Sequence, residues 1–162
     1  MAVTCNPQIQ GKVVKTYTPD GASEQSVAFT QYDRTGPIYN SESTYTVDTC
    51  AEDELTPGNG TSTLDLTAAA DVVGGTSITF NGKKIRWAKF QAPSTNSAVV
   101  KVKTGASNGY DLQGGQQIWV YPGCTVGIEL RNGLSAVDGT HKTLDITGTV
   151  AGDKLRYELV GG

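Results

Sequence analysis

Apolar and polar residues alternate along many short stretches of this chain, and no stretch of a dozen residues keeps a helical period. Alternation with period two is typical of strands with one buried face. The runs are separated by turns rich in Gly, Asn and Asp, residues that tolerate the positive φ of tight reversals. The predicted strands are residues 12–17, 25–31, 44–48, 61–66, 77–80, 85–92, 98–103, 116–121, 125–131, 142–147 and 154–160.

Strands that recur about every ten residues predict an all-β fold, either a sandwich or a barrel. The composition agrees, because the chain has 20 glycines in 162 residues and few of the residues that helical bundles favour. At this length we expect one or two small domains with a substantial core.

A change in charge near residues 57–60 suggests a boundary between two parts of the chain. Residues 1–58 carry three basic and eight acidic residues, a net charge of −5, whereas residues 59–162 carry ten basic and eight acidic residues, a net charge of +2. We therefore expect an acidic N-terminal arm or small β segment over 1–58 and a β-sandwich domain over 59–162. The arm either orders against a partner or adds a few strands to the same domain.

Charge and hydropathy narrow the functional classes. A sequence pI of about 5.1 gives no general attraction to phosphate, so we expect no nucleic-acid partner. No apolar run approaches the length that crosses a bilayer, so we expect no membrane partner. Residues 1–10 lack the basic and apolar regions of a secretory signal, which predicts synthesis in the cytoplasm. Cys5, Cys50 and Cys124 lie far apart, and we expect free, dispensable thiols.

Few residues are arranged in a pattern that predicts chemistry. His141 is the single histidine, and its setting predicts a surface turn rather than a catalytic base. The acidic run 52–54 lacks the spacing of a calcium loop and predicts a solvated loop. The glycines at 105 and 109 match no phosphate-binding motif. We therefore predict no catalytic, cofactor-binding or metal-binding residues, no cofactor and no enzymatic activity.

Aromatic residues give a weaker signal for binding. Trp119 and Tyr121 share one face of a predicted strand, and such a stripe is typical of a sugar-stacking surface, of a core or of a subunit interface. Together with Trp87 and Phe90 they are more aromatic anchors than a thin core absorbs, which favours a homo-oligomer.

The order of motifs over residues 61–162 resembles a family of small bacteriophage virion proteins. It runs from 63–69 through the strands around 78–80 and 84–87, the turn 104–109, a Gly-Gly turn, a strand ending at 122–123, and finally 142–147 and 154–161. The resemblance implies a jelly-roll-like antiparallel sandwich that decorates a capsid or belongs to tail-associated structures. It does not extend to residues 1–58.

These observations lead us to expect a non-enzymatic structural protein of a phage virion, a capsid decoration (cement) protein that stabilises the head. Its expected partners are the major capsid protein or another virion protein and further copies of itself, with a trimer favoured by analogy with jelly-roll virion proteins. The alternative is a tail or head-fibre adhesin module that binds a host surface glycan. In both cases the protein is made in the host cytoplasm and ends in the virion.

Overall fold

The computed structural model describes residues 11–17, 25–31, 49–71, 77–130 and 134–162. Ten strands and no helix are found in these ranges, which confirms the all-β prediction. Accordingly, no helix in the described ranges has the length and apolar character needed to cross a membrane. The strands are β1 (Gly11–Tyr17), β2 (Gln25–Gln31), β3 (Thr49–Leu55), β4 (Thr61–Asp65), β5 (Ile85–Gln91), β6 (Val100–Thr104), β7 (Ile118–Val120), β8 (Thr125–Glu129), β9 (Thr143–Thr147) and β10 (Leu155–Gly161).

Strands β1 and β2 form a separate antiparallel hairpin, with Gly11 opposite Gln31 and Tyr17 opposite Gln25. The hairpin belongs to a compact unit that spans residues 6–45, whereas the sandwich strands β3 to β10 belong to a second unit. An isolated two-stranded hairpin is marginally stable in water.

The second unit is a sandwich of two antiparallel four-stranded sheets. The first sheet has the order β3-β10-β5-β8 and the second sheet has the order β4-β9-β6-β7. The pairs are nested along the chain, because β3 pairs with β10, β4 with β9, β5 with β8 and β6 with β7. Successive pairs alternate between the two sheets.

The core lies between the two sheets and follows from the alternation seen in the sequence. In β10, Leu155, Tyr157 and Leu159 are buried while Arg156 is exposed. In β9, Leu144 and Ile146 point into the core, and in β7 Ile118 and Val120 do so. The Tyr110 hydroxyl donates a hydrogen bond to the Ser135 carbonyl, and the Tyr157 hydroxyl donates one to the Ala70 carbonyl. Both buried phenols therefore have a hydrogen-bond partner.

The placement of β3 corrects the predicted boundary at 58/59. β3 pairs along its whole length with β10 and buries Ala51, so residues 49–55 belong to the sandwich. With the boundary before Thr49, residues 1–48 carry three basic and five acidic residues and residues 49–162 carry ten basic and eleven acidic ones. The charge contrast largely disappears, because the acidic run belongs to a paired strand and not to a solvated loop as predicted. That residues 1–48 form an arm stays a prediction.

Two predicted strands have other outcomes. Residues 77–80 form only an isolated bridge, between Ile78 and Ala69. The predicted strand 44–48 lies outside the described residues.

Candidate functional site

The most exposed large apolar side chains of the described residues lie at one edge of the second sheet. Trp119 and Tyr121 retain 47% and 57% of their surface in solvent. Because Ile118 and Val120 point into the core, alternation turns Trp119 outward from β7. The predicted aromatic stripe is therefore an outer surface of a rigid sheet and not part of the core.

The side chain of Lys101 on β6 contacts the indole of Trp119. The two residues are direct partners across the β6–β7 ladder, and the Lys101 Nζ lies 4.1 Å from the centroid of the indole ring. This cation–π contact is worth about 0.5–1 kcal/mol at an exposed site. The contact restrains the indole and places the cation over the ring, so that a ligand would use the part of the ring that Lys101 leaves exposed.

Polar residues continue this surface across the sheet. Thr147 of β9 lies opposite Lys101, and its hydroxyl is 3.1 Å from that of Thr61 on β4. Lys103 lies two residues along β6 from Lys101, on the same face. We refer to Thr61, Lys101, Lys103, Trp119, Tyr121 and Thr147 together as the aromatic face.

The aromatic face has more positive than negative charge. In the described part of the chain, no carboxylate lies within salt-bridge distance of Lys101 or Lys103. Asp145 lies opposite Lys103 but is only 6% exposed, and its oxygens accept hydrogen bonds from the Thr63 hydroxyl and the Ala106 amide, both at 3.0 Å. The two ammonium groups are therefore available to an anionic ligand.

A cavity of about 360 Å³ lies over the outer face of the first sheet. Four of the charged side chains that line it, Glu54, Lys89, Arg156 and Glu158, are paired across strands. Glu54 of β3 accepts from Lys154 Nζ at 2.5 Å and from Arg156 Nε at 2.9 Å, and Lys89 of β5 pairs with Glu158 of β10. The hydrogen bonds from Lys154 and then Arg156 lower the pKa of Glu54 below its ordinary value. The pairs of Glu54 link β3 to β10 and its preceding residue, and the pair of Lys89 and Glu158 links β5 to β10.

His141 lies in an exposed turn, as the sequence predicts. Its Nδ1 lies 3.2 Å from Asp138 Oδ1, and the same carboxylate oxygen accepts hydrogen bonds from the Thr140 and His141 amides. The Thr140 amide and hydroxyl and the His141 side chain hold the pKa of Asp138 well below its ordinary value. The pair closes a turn of the Asx type.

Groups of three metal-ligating side chains are absent from the described ranges. Cys50 is a half-buried free thiol and Cys124 an exposed one, while Cys5 lies outside the described residues. That the thiols are dispensable stays a prediction.

Two of the four predicted aromatic anchors are unavailable to a partner. Trp87 is 1% exposed and Phe90 is fully buried, so only Trp119 and Tyr121 remain at the surface. Lys101 and Lys103 were not predicted as binding residues from the sequence. The signal for them was the alternation Lys101-Val102-Lys103, which places both ammonium groups on the face opposite to the buried valine.

Comparisons with known proteins give little further information. No family model matches the chain, and no curated protein does so. A solved chain described under "Bacillus endospore appendages form a novel family of disulfide-linked pili" is 17% identical, covers 76% of this chain and 94% of its own length, and has a TM-score of 0.34. Similarity this low establishes neither a shared fold nor a shared function.

Proposed function

We propose that this protein is a non-enzymatic structural protein of a phage virion, a decoration protein that binds the major capsid protein and stabilises the head. The observation that supports it is the strand order. Eight strands in nested pairs that alternate between two antiparallel sheets support the jelly-roll-like fold that the resemblance to small virion proteins implies. The proposal requires no cofactor and no catalytic residue.

Attachment to the capsid is assigned to the N-terminal segment before β3. In the proposal this segment becomes ordered on the capsid surface, which costs about 1–2 kcal/mol of conformational entropy for each backbone residue that is fixed. Only an extended interface offsets that cost. Many weak contacts on a symmetric shell then add through multivalency. We also propose that the protein is a homo-oligomer, with a trimer favoured. Sedimentation equilibrium would measure the mass of the oligomer.

The test is binding to empty, expanded heads of the phage that encodes the chain. The full-length protein should co-sediment with the heads and raise their melting temperature, because a ligand that binds only the assembled state stabilises it. A fragment of residues 46–162 should remain folded and lose this binding. Failure of the full-length protein to bind the heads would contradict the proposal. Unchanged binding by the fragment would contradict the assignment of attachment to the N-terminal segment.

The second function that we propose is recognition of a surface glycan by an adhesin module. The observation in its favour is the aromatic face, where Trp119 and Tyr121 are exposed and the hydroxyls of Thr147 and Thr61 lie on the same side of the sheet, two and three strands away from β7. Sites built on strands hold their side chains more precisely than sites built on loops. Binding of full-length protein to host cells or to isolated polysaccharide tests it.

A further inference from the structure

We propose that the aromatic face binds an acidic polysaccharide, with one pyranose ring stacked on the indole of Trp119 and sugar carboxylates paired with Lys101 and Lys103. This inference rests on the second proposed function and names its ligand class.

The exposed indole of Trp119 offers a surface on which a sugar ring can stack. The indole of Trp119 is half exposed at the edge strand β7, and the cation of Lys101 lies over the ring. The exposed part of the ring is apolar, and the cation–π contact already restrains the side chain, so a ligand that stacks there loses less side-chain entropy. The C–H faces of a pyranose are likewise flat and apolar. Tyr121, two residues further along the chain, extends the apolar surface.

The positive charge of the aromatic face favours acidic glycans over neutral ones. Lys101 and Lys103 stand about 7 Å apart along one strand. The nearest carboxylate across the ladder, that of Asp145, is buried and already accepts two hydrogen bonds. Two ammonium groups that lie outside salt-bridge distance of the carboxylates of the described residues attract a ligand that carries repeated negative charges. The net charge of the whole chain is −3, so this attraction is a property of the face and not of the protein in bulk.

Two threonine hydroxyls on the same face can bind the hydroxyl groups of a sugar. Thr147 and Thr61 bring two hydroxyls to the same face, and their mutual hydrogen bond leaves further donor and acceptor capacity. A surface that combines an open aromatic ring, hydroxyls and cations matches a sugar acid in each of its chemical groups. An acidic peptide would use the cations and leave the indole and the hydroxyls with little role.

The experiment measures the affinity of the full-length protein for three polymers by isothermal titration calorimetry. Polygalacturonate carries both sugar rings and carboxylates, its methyl ester carries the same rings without the charges, and polyglutamate carries the charges without the rings. We expect binding to polygalacturonate, binding weaker by about tenfold or more to each of the other two, and loss of affinity at high salt.

Variants locate the site. Trp119→Ala should weaken polygalacturonate binding about tenfold or more, the range of an aromatic hot spot, and Trp119→Phe should restore part of it. Lys101→Gln with Lys103→Gln should abolish the preference for polygalacturonate over its methyl ester. The control, Lys84→Gln, removes a positive charge next to the first sheet, away from the aromatic face, and should leave the preference intact.

Each contrary outcome has a distinct meaning. Equal binding to polygalacturonate and its ester would overturn the acidic class and leave glycan recognition standing. Equal binding to polyglutamate would overturn stacking, and unchanged binding by Trp119→Ala in a folded protein would overturn the site. No binding to polygalacturonate would overturn this inference, whereas the second proposed function fails only when host cells and their isolated polysaccharides are not bound either.

Discussion

Removal of residues 1–58 should leave a chain that does not fold, whereas removal of residues 1–45 should leave a folded sandwich. The shorter fragment lacks β3, which pairs over seven residues with β10 and packs Ala51 and Leu55 against the core. Several ladder hydrogen bonds of about 1 kcal/mol net each are lost, together with burial worth about 25 cal/mol per Å² of apolar surface. This loss is comparable with the ~5–15 kcal/mol that stabilises a typical domain.

Proton NMR spectra of the two fragments would test this expectation. Dispersed amide signals are expected for residues 46–162 and collapsed signals or aggregation for residues 59–162. A folded fragment 59–162 would show that β3 is dispensable and would restore the boundary that the charge pattern predicted.

The variant Gly105→Ala should destabilise the sandwich by about 3 kcal/mol, the upper part of the usual range for overpacking. A Cβ at this position would lie 2.0 Å from Thr143 Oγ1 and 2.8 Å from the Thr143 carbonyl oxygen. That carbonyl accepts hydrogen bonds from the amides of Gly105 and Tyr110, so the turn cannot retreat without losing them. Loss of these hydrogen bonds also disturbs β9, because Thr143 is the first residue of that strand.

The control is Gly139→Ala, because nothing lies within 4 Å of the Cβ that it adds and its φ is not positive. Its effect should stay within about 0.5 kcal/mol, as for an ordinary surface change. Urea denaturation of both variants gives the comparison. Equal stabilities would mean that the turn 105–109 relaxes freely around Thr143.

The close packing around Gly105 also explains a sequence feature that no motif accounted for. The glycines at 105 and 109 frame a turn whose backbone passes close to Thr143 and to itself, since a Cβ on Gly109 would lie 2.3 Å from the Gly105 carbonyl oxygen. Between them Asn108 adopts a φ of 53°, a conformation that asparagine tolerates. These glycines therefore allow the close packing of the turn.

Most strands could be predicted because their alternation is a local property. β3 was missed because three consecutive acidic residues hide its alternation, and the cations that pair with Glu54 come from Lys154 and Arg156, about a hundred positions away. Sequence alone could not supply that partner.

The faces of two strands could not be predicted for a different reason. In β7 and the residue after it, Ile118, Trp119, Val120 and Tyr121 are all apolar, so alternation does not show which pair is buried. In β5 the register shifts where Val160 and Gly161 of β10 meet it, and Ile85 consequently enters the core together with Ala88 and Phe90. A bulge reverses the alternation on one side of it, and nothing in the local sequence marks its position.

Acrylamide quenching of tryptophan fluorescence tests most directly whether the aromatic face is an open binding surface. The chain has two tryptophans, of which Trp87 is 1% exposed and Trp119 is 47% exposed. The wild-type protein should show a readily quenched component that Trp119→Phe lacks, and polygalacturonate should protect that component. Equal quenching of the two proteins, or an accessible component that the polymer leaves unprotected, would contradict the account.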